Sequence, residues 1–153
     1  MPHTSVPRWS PALPVPAHAA LVVLIAESPD TTGLTGELGE RVRVVCPEDL
    51  EPLLEKACVG WHFVIHGTDA TVSEVRARLL AAGALDAEIT TLVEDSARRR
   101  VSCTHCWADT TAHVDVGDVV SCAGCGVPLV VYHHFSRRRG AYMGYRVDAE
   151  ELP

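Results

Sequence analysis

Aromatic side chains and positive charge are both scarce in this sequence, and no apolar run is long. Aromatic residues make up 5% of the 153 residues although 47% are hydrophobic, so the core must consist mostly of valine, leucine and alanine. The formal net charge of −7 argues against a general nucleic-acid-binding protein, because such proteins carry a basic surface. The apolar run from Ala19 to Ala26 is far too short to cross a bilayer, so no membrane partner is expected.

Motifs for nucleotide binding and for catalysis are also missing. Gly33, Gly36 and Gly39 are spaced by three, which is not the G-x-G-x-x-G of a dinucleotide site, and there is no P-loop. His62 and His66 would share one face of a strand, where histidines usually have a structural role. His66 nevertheless ends that strand, and α/β sheets bind ligands at the carboxyl ends of their strands. We assign no catalytic residue from the sequence.

Four of the six cysteines form two C-x2-C pairs separated by fifteen residues. The pairs are Cys103 with Cys106 and Cys122 with Cys125. This spacing is typical of a tetrahedral site in which four thiolates bind one metal ion. Gly126, directly after the second pair, can adopt the left-handed backbone that turns amides toward the sulfurs.

Four thiolates leave no open coordination position, which disfavours hydrolytic or Lewis-acid catalysis at the ion. Zinc fits this ligand set best, and iron in a rubredoxin-type site is the alternative. A redox-active dithiol would leave the paired spacing unexplained. Cys46 and Cys58 border strand-like runs and are expected to be buried free thiols. With metal-type cysteine spacing and no secretory signal in residues 1–19, the sequence predicts a cytoplasmic protein.

Composition and patterning divide the chain into three parts. Residues 1–19 are predicted to be an extended, proline-rich arm, residues 20–97 a small α/β domain, and residues 98–153 a zinc ribbon with a basic and aromatic tail. The arm contains the prolines Pro2, Pro7, Pro11, Pro14 and Pro16.

Strands and helices alternate in the second part, which predicts a parallel sheet. Strands are expected at residues 20–26, 41–46, 60–66 and 87–93, with helices at 49–57 and 68–82 and room for one short helix in 27–40. In the helix at 68–82, Thr71 and Glu74 can form a capping box, and Gly83 is placed to end it. Residues 96–100 are interpreted as a polar hinge at the domain boundary.

The third part is predicted to be a three-stranded antiparallel sheet whose strand junctions carry the two cysteine pairs. Residues 111–116 and 119–121 flank a hairpin turn at Gly117-Asp118, and residues 129–134 form the third strand. So small a unit cannot bury enough apolar surface alone, and a bound metal would supply on the order of 10 kcal/mol.

Two arginine triplets, at 98–100 and 137–139, bracket the predicted ribbon. Basic residues mixed with aromatic ones suit either a protein interface or stacked bases. Because the rest of the chain is acidic, we favour an interface over nucleic acid. The candidate docking residues are Arg137, Arg138, Arg139, Tyr142 and Tyr145.

Two resemblances follow from these patterns. The stretch from His62 through Asp69, followed by a helix ending at Gly83, resembles the last part of the nucleotide-binding half of ferredoxin reductases. The reductase loop that binds the pyridine nucleotide is missing, so this resemblance implies a truncated reductase-like fold and leaves nucleotide binding open.

The second half resembles the DmmA-type subunit of bacterial dimethylamine monooxygenase. Both cysteine pairs carry the resemblance, together with the segment 129–138 and the Gly-Ala-Tyr-Met-Gly of residues 140–144. It implies a multicomponent enzyme that demethylates a secondary amine with NAD(P)H and O2, whose flavin, iron–sulfur and oxygen-activating centres reside in other subunits. This chain would then be an accessory subunit. The alternatives are a rubredoxin-like electron carrier between reductase and oxygenase and, less favoured, a nucleic-acid-binding ribbon.

Overall fold

Two β-sheets organise the part of the chain that the computed structural model describes, which is residues 5–10, 12–28 and 30–149. The strands are β1 Leu21–Ala26, β2 Val42–Val45, β3 Trp61–Thr68, β4 Ile89–Asp95, β5 Arg98–Cys103, β6 Asp109–His113, β7 Val119–Ser121, β8 Pro128–Ser136 and β9 Ala141–Arg146. The α-helices are α1 Thr32–Leu38, α2 Leu50–Leu54 and α3 Asp69–Ala81. Pro2 and Pro11 of the expected arm and the acidic Glu150 and Glu151 lie outside the described residues.

The first sheet is parallel, as the alternation of strands and helices predicted, with the order β2-β1-β3-β4. Its two central strands are covered on both faces: β1 is a continuous apolar run, and β3 is buried at six of its eight residues although it contains two histidines. One face packs against α2 and α3, where Val72, Val75 and Leu79 reach Ile25 and Ile65. The other face packs against α1 and the arm.

Helix α3 begins one turn earlier than its expected capping box. Thr68 is the N-cap, and its Oγ1 accepts a hydrogen bond from the amide of Thr71 at 3.4 Å. The capping box of Thr71 with Glu74 was therefore wrong, because the strand ends directly at Thr68 and leaves no residue between strand and helix. The helix ends at Ala81, and Gly83 lies just beyond this end, as predicted. Its φ of +100° suits the turn that follows a helix.

The second sheet differs from the expected three-stranded hairpin arrangement. It has five strands in the order β6-β5-β9-β8-β7, and β5 runs parallel to β9. The segment around Gly117-Asp118 is not a β6–β7 hairpin, since β6 pairs with β5 and β7 pairs with β8. The predicted hinge at residues 96–100 was wrong as well, because Arg98 starts β5 and exchanges ladder hydrogen bonds with β6.

The two sheets are joined by specific contacts. The turn before β9 places Gly140 against the backbone of Ser73 in α3. The arm also spans both sheets: the Ser5 hydroxyl donates to the carbonyl of His133 at 2.8 Å, and Trp9 packs against the core of the parallel sheet. The division at residue 97 stays a prediction. Within the described residues, no helix is long and apolar enough to cross a membrane.

Candidate metal centre

Four sulfurs converge at one end of the second sheet. The Sγ atoms of Cys103, Cys106, Cys122 and Cys125 all lie within 4.8 Å of one another. Cys103 Sγ is 3.9 Å from Cys125 Sγ, and Cys106 Sγ is 3.6 Å from Cys122 Sγ. A tetrahedron with zinc–sulfur bonds of about 2.3 Å has edges of roughly 3.8 Å, so this cluster has the dimensions of a tetrathiolate site.

The two cysteine turns are built alike. In the first, the Cys103 amide donates to the carbonyl of Ala108 at 2.9 Å, and the Trp107 amide donates to the carbonyl of Cys103 at 2.9 Å. In the second, the Cys122 amide donates to Val127 at 3.0 Å, and Gly126 donates to Cys122 at 2.9 Å. Each turn therefore forms the same closed loop.

Backbone amides also point at the sulfurs in both turns. The amide of His105 donates to Cys103 Sγ at 3.4 Å, and the amide of Gly124 donates to Cys122 Sγ at 3.4 Å. These bonds stabilise thiolates, which are the form that binds a metal. His105 itself is exposed, which agrees with a surface role rather than a fifth ligand.

Two thiols of the cluster, those of Cys122 and Cys106, have strongly shifted pKa values. Amide donors, first that of Cys125 and then that of Gly124, lower the pKa of Cys122 to about 6. At Cys106 the amide of Ala108 acts in the same direction, but partial burial and the neighbouring thiols outweigh it and raise the pKa to about 12. Four adjacent sulfurs cannot all be thiolates without a compensating cation, and a divalent metal supplies one. The donor set fits such an ion.

The four cysteines of the cluster differ in their exposure to solvent. Cys103 and Cys122 are buried and pack against Leu129, whereas Cys106 and Cys125 are half-buried. Gly124 allows the turns to approach, since a Cβ there would lie 2.5 Å from Ala108 Cβ. One pair of sulfurs therefore lies near solvent.

Most arginines of the second half pair with carboxylates of this chain. The nitrogen–oxygen distances are 3.4 Å for Arg98–Glu27, 2.6 Å for Arg99–Asp115, 2.8 Å for Arg100–Asp109, 2.8 Å for Arg137–Asp86, 3.3 Å for Arg139–Asp109 and 2.7 Å for Arg146–Asp148. These pairs neutralise the two basic triplets over much of their length. They leave little of the basic surface that a nucleic acid requires.

Two expectations about side-chain exposure were wrong. Tyr142 is only 1% exposed, because it packs against Phe135 and under the guanidinium of Arg99, so it cannot dock a partner. Tyr145 is half-buried beside Tyr132. Cys46 and Cys58 are exposed rather than buried, because Cys46 follows the edge strand β2 and Cys58 lies in the loop after α2.

The ligand position expected near His66 is filled partly by the chain's own carboxylate. Glu27, directly after β1, accepts hydrogen bonds at Oε2 from the Thr68 amide at 3.2 Å and from the Thr71 hydroxyl at 2.9 Å. Glu27 was not among the predicted site residues, although its place directly after a buried parallel strand was a usable signal. His66 Nε2 lies 3.5 Å from Glu94, and the buried His62 contacts Thr90 Oγ1 through Nε2 at 2.9 Å.

Comparisons with known proteins agree with the resemblance carried by the cysteine pairs. Residues 100–145 match the family model of the C-terminal domain of the dimethylamine monooxygenase subunit DmmA-like proteins. The chain is also 32% identical over 160 aligned positions to the heme-dependent oxidative N-demethylase delta subunit of Ectopseudomonas mendocina (strain ymp), covering 96% of this chain and 90% of that protein. This chain belongs to that delta-subunit family. No solved structure matches it.

The heme named for the relative does not fit either of two donor groups described above, the buried His62 and the cysteine cluster. A heme iron needs an axial histidine, cysteine, methionine or tyrosine in an apolar slot. The buried His62 uses Nε2 on Thr90 inside the sheet, and the four clustered thiols converge on a single point. These donors suit one small ion and do not fit a macrocycle.

Proposed function

We propose that this chain is an accessory metal-binding subunit of a multicomponent oxidative N-demethylase. The enzyme would convert a secondary amine such as dimethylamine, with NAD(P)H, a proton and O2, into a primary amine, formaldehyde, NAD(P)+ and water. Oxygen activation and electron supply are assigned to the other subunits. This chain contributes structure and contact surface, and we assign it no catalytic residue.

The observation that carries this proposal is the closed arrangement of four sulfurs in a chain related to a delta subunit. Cys103, Cys106, Cys122 and Cys125 would hold Zn2+, which satisfies its four positions with thiolates and leaves none for a substrate. The bound ion would fix the two turns and hence the strands that leave them.

A direct test is to assemble the enzyme with and without this chain. The remaining subunits are co-expressed with the tagged chain or without it, and formaldehyde release from dimethylamine is measured with NADPH and O2. We expect assembly and turnover to fall together when the chain is omitted. Unchanged assembly and turnover without the chain would refute the proposal.

A rubredoxin-like electron carrier is the second candidate, and one feature favours it. The residues Cys106 and Cys125 are only half-buried, which would let an electron pass from a bound iron to a partner. Metal analysis and a visible spectrum of the isolated protein separate the two functions. Zinc gives a colourless protein, whereas iron in four thiolates gives a red one that bleaches on reduction.

A further inference from the structure

The first cysteine turn carries a tryptophan where the second carries a glycine. Trp107 has a φ of +64°, and the corresponding Gly126 has a φ of +73°. Among the described residues, Trp107 is the one non-glycine with a positive φ. A bulky residue in this region is an outlier, because its Cβ crowds the backbone, whereas glycine has no such cost.

The indole of Trp107 is not kept there for core packing. It is 64% exposed, unlike the buried side chains next to the cluster. Arg139 contacts Trp107 twice: Nη2 donates to the Trp107 carbonyl at 3.0 Å, and the guanidinium lies over the ring, 5.8 Å from its centre. Most of the residue stays exposed despite these contacts.

The surroundings of the indole suit close contact with a protein. Thr104 and His105 of the same turn are exposed, and so are the small residues Ala123 and Gly124 of the facing turn. Gly124 lies against Ala108, so the two turns form one continuous surface. Tryptophan and arginine are both enriched among the few residues that supply most of the binding energy of protein interfaces.

We propose that Trp107 is the central contact of the face by which this chain binds another subunit of the demethylase. The partner would present an apolar pocket that accepts the indole, while the metal keeps the turn in place. This inference rests on the proposed function, which supplies a partner subunit. It adds the residue, the face and the chemistry of the pocket.

The test uses Trp107→Gly, because strain and binding predict opposite effects. Glycine relieves the backbone, so the variant should bind one metal per chain and unfold at a temperature no lower than the wild type. Binding to the other subunits, measured by co-purification and biolayer interferometry on the full chain, should weaken about tenfold or more. Leu85→Ser is the matched control, since Leu85 is also 64% exposed but lies in the loop between α3 and β4 rather than in a cysteine turn, and its binding should stay unchanged.

The possible results separate the proposed function from the role of Trp107. If the wild type captures no demethylase subunit, the proposed function fails. If the wild type binds and Trp107→Gly binds equally well, only this inference fails. If the variant unfolds at a clearly lower temperature or loses its metal, the indole has a structural role and the inference is wrong. If size-exclusion chromatography shows that the variant instead breaks up a homodimer, the partner is a second copy and the inference is again wrong.

Discussion

Gly140, in the turn between β8 and β9, lies directly against the main chain of Ser73 in α3. An added Cβ would stand 2.2 Å from the Ser73 carbonyl oxygen and 2.6 Å from its carbonyl carbon. Both partners are backbone atoms, which cannot rotate away as a side chain could. The metal-binding sheet and the parallel sheet are therefore fitted to each other at this point, although the sequence between them looks like a hinge.

This contact predicts a large effect of Gly140→Ala. The variant should lose about 2–4 kcal/mol of unfolding free energy, because the methyl group must separate α3 from the turn and because φ is +60°. Gly117→Ala is the control, since Gly117 also has a positive φ, +99°, but has open space around it. It should lose only about 1 kcal/mol. Equal losses in urea denaturation would show that the close contact contributes nothing.

Replacing one of the four clustered cysteines should reduce both metal binding and the stability of the fold. Cys103→Ser should abolish stoichiometric metal binding and lower the unfolding free energy by on the order of 3–5 kcal/mol, because Cys103 is buried in the cluster. Cys46→Ser, at an exposed cysteine outside the cluster, should change neither quantity measurably. Metal content by mass spectrometry and thermal unfolding with and without a chelator give both readings. Stability that is indifferent to the chelator would contradict a structural ion.

The environment of Glu27 should make part of the protein's stability depend on pH in the acid range. Partial burial alone would raise its pKa, but the bonds from Thr68 and Thr71 and the charge of Arg98 outweigh burial and lower the pKa below 4.5. A carboxyl group with a lowered folded pKa stabilises the protein above about pH 4.5, and this contribution disappears as the pH falls through the folded value.

Glu27→Gln should therefore be less stable than the wild type at pH 7, and the difference should shrink as the pH falls below about 4.5. Glu37→Gln, an exposed carboxylate on α1, should change stability by less than about 0.5 kcal/mol. Urea titrations from pH 3 to 7 supply the comparison. A difference that grows toward low pH would mean that folding does not lower the pKa of Glu27.

Trp9 fixes the arm to a buried carboxylate. Its Nε1 donates to Asp69 Oδ2 at 2.8 Å, and Asp69 is only 2% exposed. Burial raises the pKa of Asp69, and the Trp9 bond opposes that rise. Trp9→Phe should cost about 1–3 kcal/mol beyond the loss of ring area, with the larger cost at pH 7 than at pH 4, because the lost bond stabilises the ionised form.

Trp61→Phe measures the ring area alone, since Trp61 is also half-buried and contacts Phe63. If both substitutions cost the same at each pH in urea denaturation, the arm is not held by this hydrogen bond.

The parallel sheet and the convergence of the four cysteines could be predicted because their signals are local. The apolar residues of β1 and β3 indicate strands that are covered on both faces. The spacing of the C-x2-C pairs is typical of a site where four thiolates meet. The second sheet could not be predicted in the same way. Its strand β5, next to the edge strand β6, contains the triplet Arg98–Arg100, which resembles an exposed hinge until the partners Glu27, Asp115 and Asp109 are known.

Pairing between distant segments caused the remaining differences. The ladder that joins Val101 to Tyr142 brings together residues far apart in sequence, and no local pattern announces it. Tyr142 is buried for that reason, although its basic and aromatic neighbours indicate a surface. The left-handed turn at Trp107 was equally hidden, because tryptophan gives no hint of a positive φ.

Native mass spectrometry of the complex purified through this chain is the decisive test of whether the chain is a metal-bearing accessory subunit of a demethylase. We expect an assembly that contains this chain together with other demethylase subunits, with one zinc ion for each copy of the chain. A chain that is recovered alone, or in a complex without a metal on its four cysteines, would refute this function.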